Sequence, residues 1–209
     1  MPHFLTRIDP AKTAILVVDM TNDFIAPGAS LCCAMGTRFA SALGVFLDQC
    51  RTEGMKIIYT SQEYRSDKKD MGKTSRLLHT GTGGLVSGTR GVEIFPACAP
   101  KNNEPIVRKH FYSAFVQTDL DILLRCSGID TVCITGVCTD VCCFATARDA
   151  FFHGYDVAFL SDLTGTNAFA DIGYGAFTAE EHHVMALNNI WDCNGDVMTS
   201  GDFLSRVIK

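Results

Sequence analysis

The sequence predicts a three-layer α/β/α architecture with a central, mostly parallel sheet of about six strands. Three observations carry that prediction. Short β-branched runs alternate with helical patterns along the whole chain, the strands are apolar without a polar face, and polar or chemically versatile residues gather where strands end. With 209 residues, 47% hydrophobic and 20% charged, the chain is long enough for one substantial core and short for two, so residues 1–209 are expected to form a single domain.

Residues 1–12 read as a short arm. Thr13–Val18 (TAILVV) is a continuous apolar run of the kind buried on both faces of a parallel sheet, and it ends at Asp19. A carboxylate there lies where open α/β sheets form their crevices, although a helix cap explains Asp19 equally well. Residues 36–53 are helical, with Phe39, Leu43, Phe46, Leu47 and Cys50 at three- and four-residue spacing, and Gly54 ends the helix. Residues 56–60 (KIIYT) make a second strand. Residues 61–104 are polar and glycine-rich, and an insertion of that length is read as pocket and oligomer-contact material, with a solvated loop as the alternative.

Residues 105–108 form a third strand, followed by Lys109, and residues 118–126 a helix closed by Gly128. Thr131–Thr135 is a fourth strand. It meets Gly136, and a helix opens at about Asp140 with Cys142 in its first turn, where unpaired N–H groups favour thiolate over thiol. Cys142 is thereby a candidate nucleophile, ahead of Cys138 and Cys143, whose side chains should not project with it into the crevice. A buried cysteine serving only as a small apolar residue is the plainer explanation. Residues 155–160 give a fifth strand, residues 178–190 a helix with Val184, Leu187 and Ile190 inward, residues 196–199 a last strand and residues 203–208 a last short helix.

A net charge of −5 without a basic cluster argues against nucleic-acid binding. No apolar run approaches the roughly 20 residues that span a bilayer, so no membrane partner is expected. The first apolar run is short and ends in Asp19, so the ten cysteines are read as thiols of a reducing cytoplasm rather than as disulfides. None of their spacings is a paired C-x-x-C zinc arrangement.

Asp19, Lys109 and Cys142 follow three different strands at their carboxyl ends, so one fold-level rule brings them to the same side of the sheet. Their chemistry is complementary: a carboxylate takes the thiol proton and an ammonium stabilises the resulting anion.

The segment Gly136-Val137-Cys138-Thr139-Asp140-Val141-Cys142 resembles the G-V-x-T-[DN]-x-C pattern of the isochorismatase-like superfamily, in its cysteine hydrolase branch. Residues 88–96 (GTRGVEIFP) resemble that family's loop before the third strand. Lys109, Ser113 and Phe115 in KHFYSAF match its K-x-x-x-S-x-F. The resemblance implies Cys142 as nucleophile, Asp19 as base, Lys109 as electrostatic partner, a cis peptide between Val137 and Cys138, and an oxyanion hole from the backbone amides of Cys138 and Cys142. It implies hydrolysis of a non-peptide carbon–nitrogen bond through a thioester, with loss of ammonia or amine.

Nicotinamidases of that superfamily carry an Asp-x-His pair and a further histidine after the second strand to hold a metal. This chain reads TSQEYRSDKKDMG there, with no histidine until His79, so no metal and no cofactor are expected. Isochorismatases proper lack the nucleophilic cysteine. The remaining likeness is to enzymes of N-carbamoylsarcosine, ureidoacrylate, biuret and maleamate, whose substrates are small amides or ureido acids. Arg65 and Arg90 are the candidate guanidinium donors to a substrate carboxylate, and Phe24, Gln62 and Tyr64 the candidate pocket walls. The long loop at residues 61–104 has little of its own to pack against, which suggests a homo-oligomer, dimer or tetramer, with a neighbour completing the crevice. A thiol-redox or scaffold protein on the same fold, with Cys142–Cys138 or Cys142–Cys143 chemistry, is the alternative from another class.

Overall fold

The computed structural model describes residues 4–73, 83–101 and 103–208. His79 and part of the 61–104 connection therefore lie outside the described residues, as do the first three residues of the arm. Six strands make one sheet: β1 (Thr13–Val18), β2 (Lys56–Gln62), β3 (Ile106–Lys109), β4 (Thr131–Val137), β5 (Asp156–Gly165) and β6 (Asp196–Met198). Their order is β3-β2-β1-β4-β5-β6, and every neighbouring pair is parallel.

The chain winds outward from β1 in one direction through β2 and β3, then returns to the other side of β1 with β4. The crevice of such a sheet opens at the carboxyl ends of the two strands where the winding reverses, here β1 and β4. Asp19 and Cys142 each follow one of these two strands.

The long apolar runs have their cause in burial on both sides. Ile15 and Val17 of β1 face one core, with Leu43 and Leu47 of the helix Ala34–Thr52 and Phe203 of the helix Ser200–Ser205. Ala14, Leu16 and Val18 face the other, with Leu120 and Leu124 of Leu120–Cys126, Ala147 and Ala150 of Phe144–Phe152 and Ile190 of Ala179–Cys193. We number these helices α2 (34–52), α3 (120–126), α4 (144–152), α5 (179–193) and α6 (200–205), with the single turn Asn22–Ile25 as α1.

Several elements differ from expectation. β2 runs to Gln62, because Tyr59 to Gln62 pair with Ile106 to Lys109 across the edge, and β5 runs to Gly165 past a register irregularity. Cys142 lies in a wide π-helical turn, Thr139–Cys143, and the α-helix starts one residue later. On α5 the inward residues are His183, Ala186 and Ile190, while Val184 is 55% exposed. The capping box of Thr178 and Glu181 fixes that helix's start, and the rotation it imposes turns Val184 outward. The last helix starts at Ser200, capped by Thr199, earlier than the apolar residues alone indicate.

The 61–104 connection is also better packed than its composition suggests. Tyr64 N donates to Leu85 O, Ser87 N to Tyr64 O, Phe95 N to Met20 O and Asn22 N to Glu93 O. The Asp23 carboxylate accepts from Leu85 N at 2.7 Å, and Met71, Leu85 and Cys98 join the first core. The described part of this segment is stitched to the loop after β1, so the argument that it lacks packing partners of its own fails.

Candidate active site

Three strand ends deliver the site. Asp19 leaves β1 in the left-handed region, φ 52°, a conformation that a short polar side chain tolerates better than most. Its carboxylate is fully buried. Oδ1 accepts from Thr60 Oγ1 at 2.8 Å and from the backbone N–H of Gln62 at 3.1 Å, both from the end of β2. Lys109, the last residue of β3, is also fully buried, with Nζ 2.7 Å from Asp19 Oδ2. A buried ammonium is tolerable only with such a partner.

The ammonium has three protons. It donates to Gln62 Oε1 at 3.0 Å, to Phe111 O at 3.1 Å and to Cys142 Sγ at 3.4 Å. Asp19 Oδ2 is left with no aligned hydrogen bond. It lies 2.7 Å from the ammonium as its ion-pair partner and is placed to receive a proton from the neighbouring thiol. The thiol of Cys142 lies beside it.

Burial pushes the Cys142 thiol well up. Lys109 pulls it back in part, and the neighbouring Asp19 carboxylate raises it further. Desolvation of the anion therefore opposes the turn's partial positive charge at this sulfur, which leaves a proton for Asp19 to take. For Lys109 the desolvation that would lower it is outweighed by Asp19 and Cys142, so it stays an ammonium. The arrangement can move a proton from sulfur to carboxylate beside a fixed cation.

Gly136, the strand residue before the turn, has φ 108°, and a Cβ there would overlap the Val18 backbone. Only glycine lets β1 and β4 approach this closely behind Asp19 and Cys142. The peptide between Val137 and Cys138 is cis, as the resemblance implied.

The turn carrying Cys142 is fixed from behind. His183 Nε2 lies 2.9 Å from Ser161 O, and Nδ1 lies 2.8 Å from Thr139 Oγ1. A carbonyl only accepts, so Nε2 carries a hydrogen toward Ser161 O, and the Thr139 hydroxyl, which can donate or accept, completes the contact at Nδ1. Burial lowers the His183 pKa below its ordinary value of 6.5, the Ser161 carbonyl and two carboxylates acting the other way. The sign follows: below pH 6.5 the unfolded chain binds a proton that the folded chain refuses, so stability is lost as pH falls. We expect urea unfolding to show this, with up to about 1 kcal/mol lost per pH unit below 6.5, and a shallower decline in His183→Gln.

The candidate walls are placed differently from one another. Gln62 and Tyr64 are buried in the site, with Gln62 Nε2 donating to Tyr64 Oη at 2.6 Å. Phe24 lies in the first core, on α1. Arg65 is 70% exposed and paired with Asp67 at 3.2 Å, and Arg90 is exposed on the turn Arg90–Val92. Both guanidinium groups are thus exposed, Arg65 beside a local carboxylate, and a role for either toward a substrate carboxylate stays a proposal. Ser113 accepts from Phe115 N within its own turn, and Phe115 stacks on His153, so these two motif residues shape the loop after Lys109.

Three contributors escaped the sequence reading. Thr60 orients Asp19. Its signal was available in three consecutive polar residues, Thr60, Ser61 and Gln62, ending an otherwise apolar strand. Tyr112 is half-buried near Cys142, Tyr64 and Lys109, with its phenol pushed up by burial first and then by Cys142 and Tyr64. His183 depends on a long-range contact that no local pattern announces. All ten cysteines are free thiols, and Cys138 neighbours Cys33. Among the described residues no group of three or more His, Cys, Asp and Glu side chains could hold a metal ion.

The Isochorismatase domain family matches residues 13–202. The chain belongs to the isochorismatase family. Within it, ureidoacrylate amidohydrolase RutB of Rhizobium rhizogenes is 30% identical over 177 residues, 75% of this chain and 72% of that protein. The isochorismatase of Bacillus subtilis is 30% identical over 91% of this chain, which spans 57% of that longer protein. A cysteine hydrolase from Pseudomonas syringae pv. phaseolicola superposes with a TM-score of 0.92 at 33% identity, over 99% of this chain and 98% of that one. N-carbamoylsarcosine amidase from Thermoplasma acidophilum superposes at 0.69 with 26% identity, covering 90% and 96%. This isochorismatase-family chain therefore falls in the cysteine hydrolase branch, and it is a hydrolase. No helix among its described residues is long and apolar enough to cross a membrane.

Proposed function

We propose that the chain is a metal-independent cysteine amidohydrolase that cleaves a non-peptide carbon–nitrogen bond of a small amide, or of a ureido or carbamoyl acid, and releases ammonia. The observation that carries this reading is the buried constellation in which one ammonium touches both a carboxylate, at 2.7 Å, and a thiol sulfur, at 3.4 Å. The relatives named for ureidoacrylate and N-carbamoylsarcosine support the substrate class.

Asp19 takes the proton of Cys142, and the thiolate attacks the substrate carbonyl with Lys109 holding the negative charge. The oxygen that becomes negative is received by the backbone amides of Cys138 and Cys142, donors fixed in advance where charge develops. Asp19 returns its proton to the departing nitrogen. Ammonia leaves and an acyl group stays on sulfur. Asp19 then deprotonates a water, which attacks the thioester, releases the acid and restores the thiol.

A vinyl-ether substrate is disfavoured by the presence of Cys142 in this constellation. The redox alternative has Cys138 and Cys143 beside Cys142, and Cys33 beside Cys138, as its thiols. An intact Asp19–Lys109 pair has no use in that chemistry. A homo-oligomer, dimer or tetramer, stays a proposal without the loop's packing behind it, and elution at the monomer mass over a wide concentration range would refute it.

The test is ammonia release from a panel of small amides and ureido acids with chelator present. The expected result is release from at least one class that chelator does not touch. Release that chelator abolishes would overturn metal independence, and silence across the panel from folded protein would overturn the amide class.

A further inference from the structure

The described contacts give Gln62 more to do than line a pocket. Its backbone N–H binds Asp19 Oδ1 at 3.1 Å, and its carboxamide oxygen accepts from Lys109 Nζ at 3.0 Å and from the Cys142 thiol at 3.3 Å. One residue therefore touches all three members of the constellation, and it is 1% exposed.

Its orientation is fixed by chemistry. An ammonium only donates, so the carboxamide must turn its oxygen to Lys109 and its NH2 the other way. There Nε2 donates to Tyr64 Oη at 2.6 Å, and Tyr64 Oη–H donates to His110 O at 3.1 Å. The chain of donors runs in one direction, from Gln62 through Tyr64 to a backbone carbonyl. Reversing the carboxamide would set two donors against the ammonium and break it.

We propose that Gln62 is a positioning residue for the proposed reaction, its carboxamide oxygen holding the Lys109 ammonium and the Cys142 thiol proton together in the resting site, with Tyr64 as its anchor. The proposal rests on the amidohydrolase reading. While the thiol proton points at Gln62, the sulfur keeps a fixed direction toward an arriving carbonyl. Once Asp19 takes the proton, the carboxamide oxygen no longer has a thiol hydrogen to accept. Lys109 alone then faces the sulfur anion, and Gln62 continues to hold that ammonium.

The test reads the thiol itself and needs no substrate, so it stands or falls apart from the reaction assigned. The rate of iodoacetamide modification at Cys142, followed by peptide mass against pH, reports the thiol's ionisation. The titratable groups facing that thiol are Asp19, Lys109, Tyr112 and the thiols of Cys138 and Cys143, and all are kept in the variants. Gln62→Met keeps the length of the side chain and removes the acceptor. The neutral thiol loses its acceptor while the ammonium stays beside the sulfur, so the midpoint should fall by about 0.5–1 pH unit. Tyr64→Phe keeps the buried ring and releases the carboxamide, and should shift the midpoint the same way by less. It decides the matter if Gln62→Met does not fold. An unchanged or raised midpoint in folded variants overturns the proposal. With an active substrate in hand, Gln62→Met should lower kcat about tenfold to a hundredfold with KM within about twofold. A raised KM with kcat unchanged would return Gln62 to a pocket wall.

Discussion

Cys142→Ala is expected to lose amide hydrolysis by about ten-thousand-fold or more while folding as the parent does. The thiol is buried in the second core, truncation to alanine removes one sulfur and no charge, and the Asp19–Lys109 pair at 2.7 Å remains compensated. Lys109→Met behaves differently. It leaves the Asp19 carboxylate buried without its cation, and loss of such a partner costs about 3–5 kcal/mol of stability in addition to activity. The two variants therefore separate chemistry from scaffold. Melting temperature and ammonia release measured together should show one variant inactive and stable, the other inactive and destabilised. Because the three residues act as a unit, adding Asp19→Asn to Cys142→Ala should cost little further activity. A Cys142→Ala protein that retains even a tenth of parental hydrolysis would remove Cys142 from the reaction.

Gly136→Ala is expected to be strongly destabilising although it lies outside the triad. The backbone there has φ 108°, and the added Cβ would overlap the carbonyl and amide of Val18 on the neighbouring strand, rigid atoms that cannot move aside as a side-chain tip can. Backbone strain and overlap together should cost roughly 3 kcal/mol, which in a chain of this size lowers Tm by about 6–12 °C. Gly154→Ala provides the contrast. Its φ is 89°, yet a Cβ there meets nothing within 4 Å, so only the backbone penalty of about 1 kcal/mol applies. Equal losses in the two variants would mean that the close approach of β1 and β4 at Gly136 is not a constraint.

The same glycine shows why much of the fold could be read from sequence. Continuous runs such as TAILVV and a glycine at the end of TVCIT report burial on both faces and a close backbone approach, both local in sequence and both strongly selective among residue types. Strand identities and the positions of Asp19, Lys109 and Cys142 at strand ends follow from such local signals. The boundaries of β2 and β5 did not, because they are set by pairing with a distant strand. Val184 was misplaced because two registers of apolar residues on α5 fit a stripe, and the capping box chose between them.

At the site, residue types were legible and electrical states were not. The first-turn position of Cys142 suggests a thiolate, but the extent of its burial, which opposes that tendency, depends on what β1, β2 and β3 bring over it. Gln62 could be recognised as near the site, while its contacts to all three reacting groups depend on the register of β2 against β3. Arg65 and Arg90 stand out in the sequence for their charge, and in the structure both are exposed, Arg65 beside Asp67.

The central claim, an acyl group carried on Cys142, is tested most directly by adding hydroxylamine during turnover. A thioester is intercepted by hydroxylamine in competition with water, so a substrate that reacts through Cys142 should yield its hydroxamate, or the hydroxyurea from a ureido acid. The yield should rise with hydroxylamine concentration while ammonia release per second holds steady or increases, and Cys142→Ala should form none. Turnover that yields only the free acid at every hydroxylamine concentration, or the same trapped product from Cys142→Ala, would contradict the account.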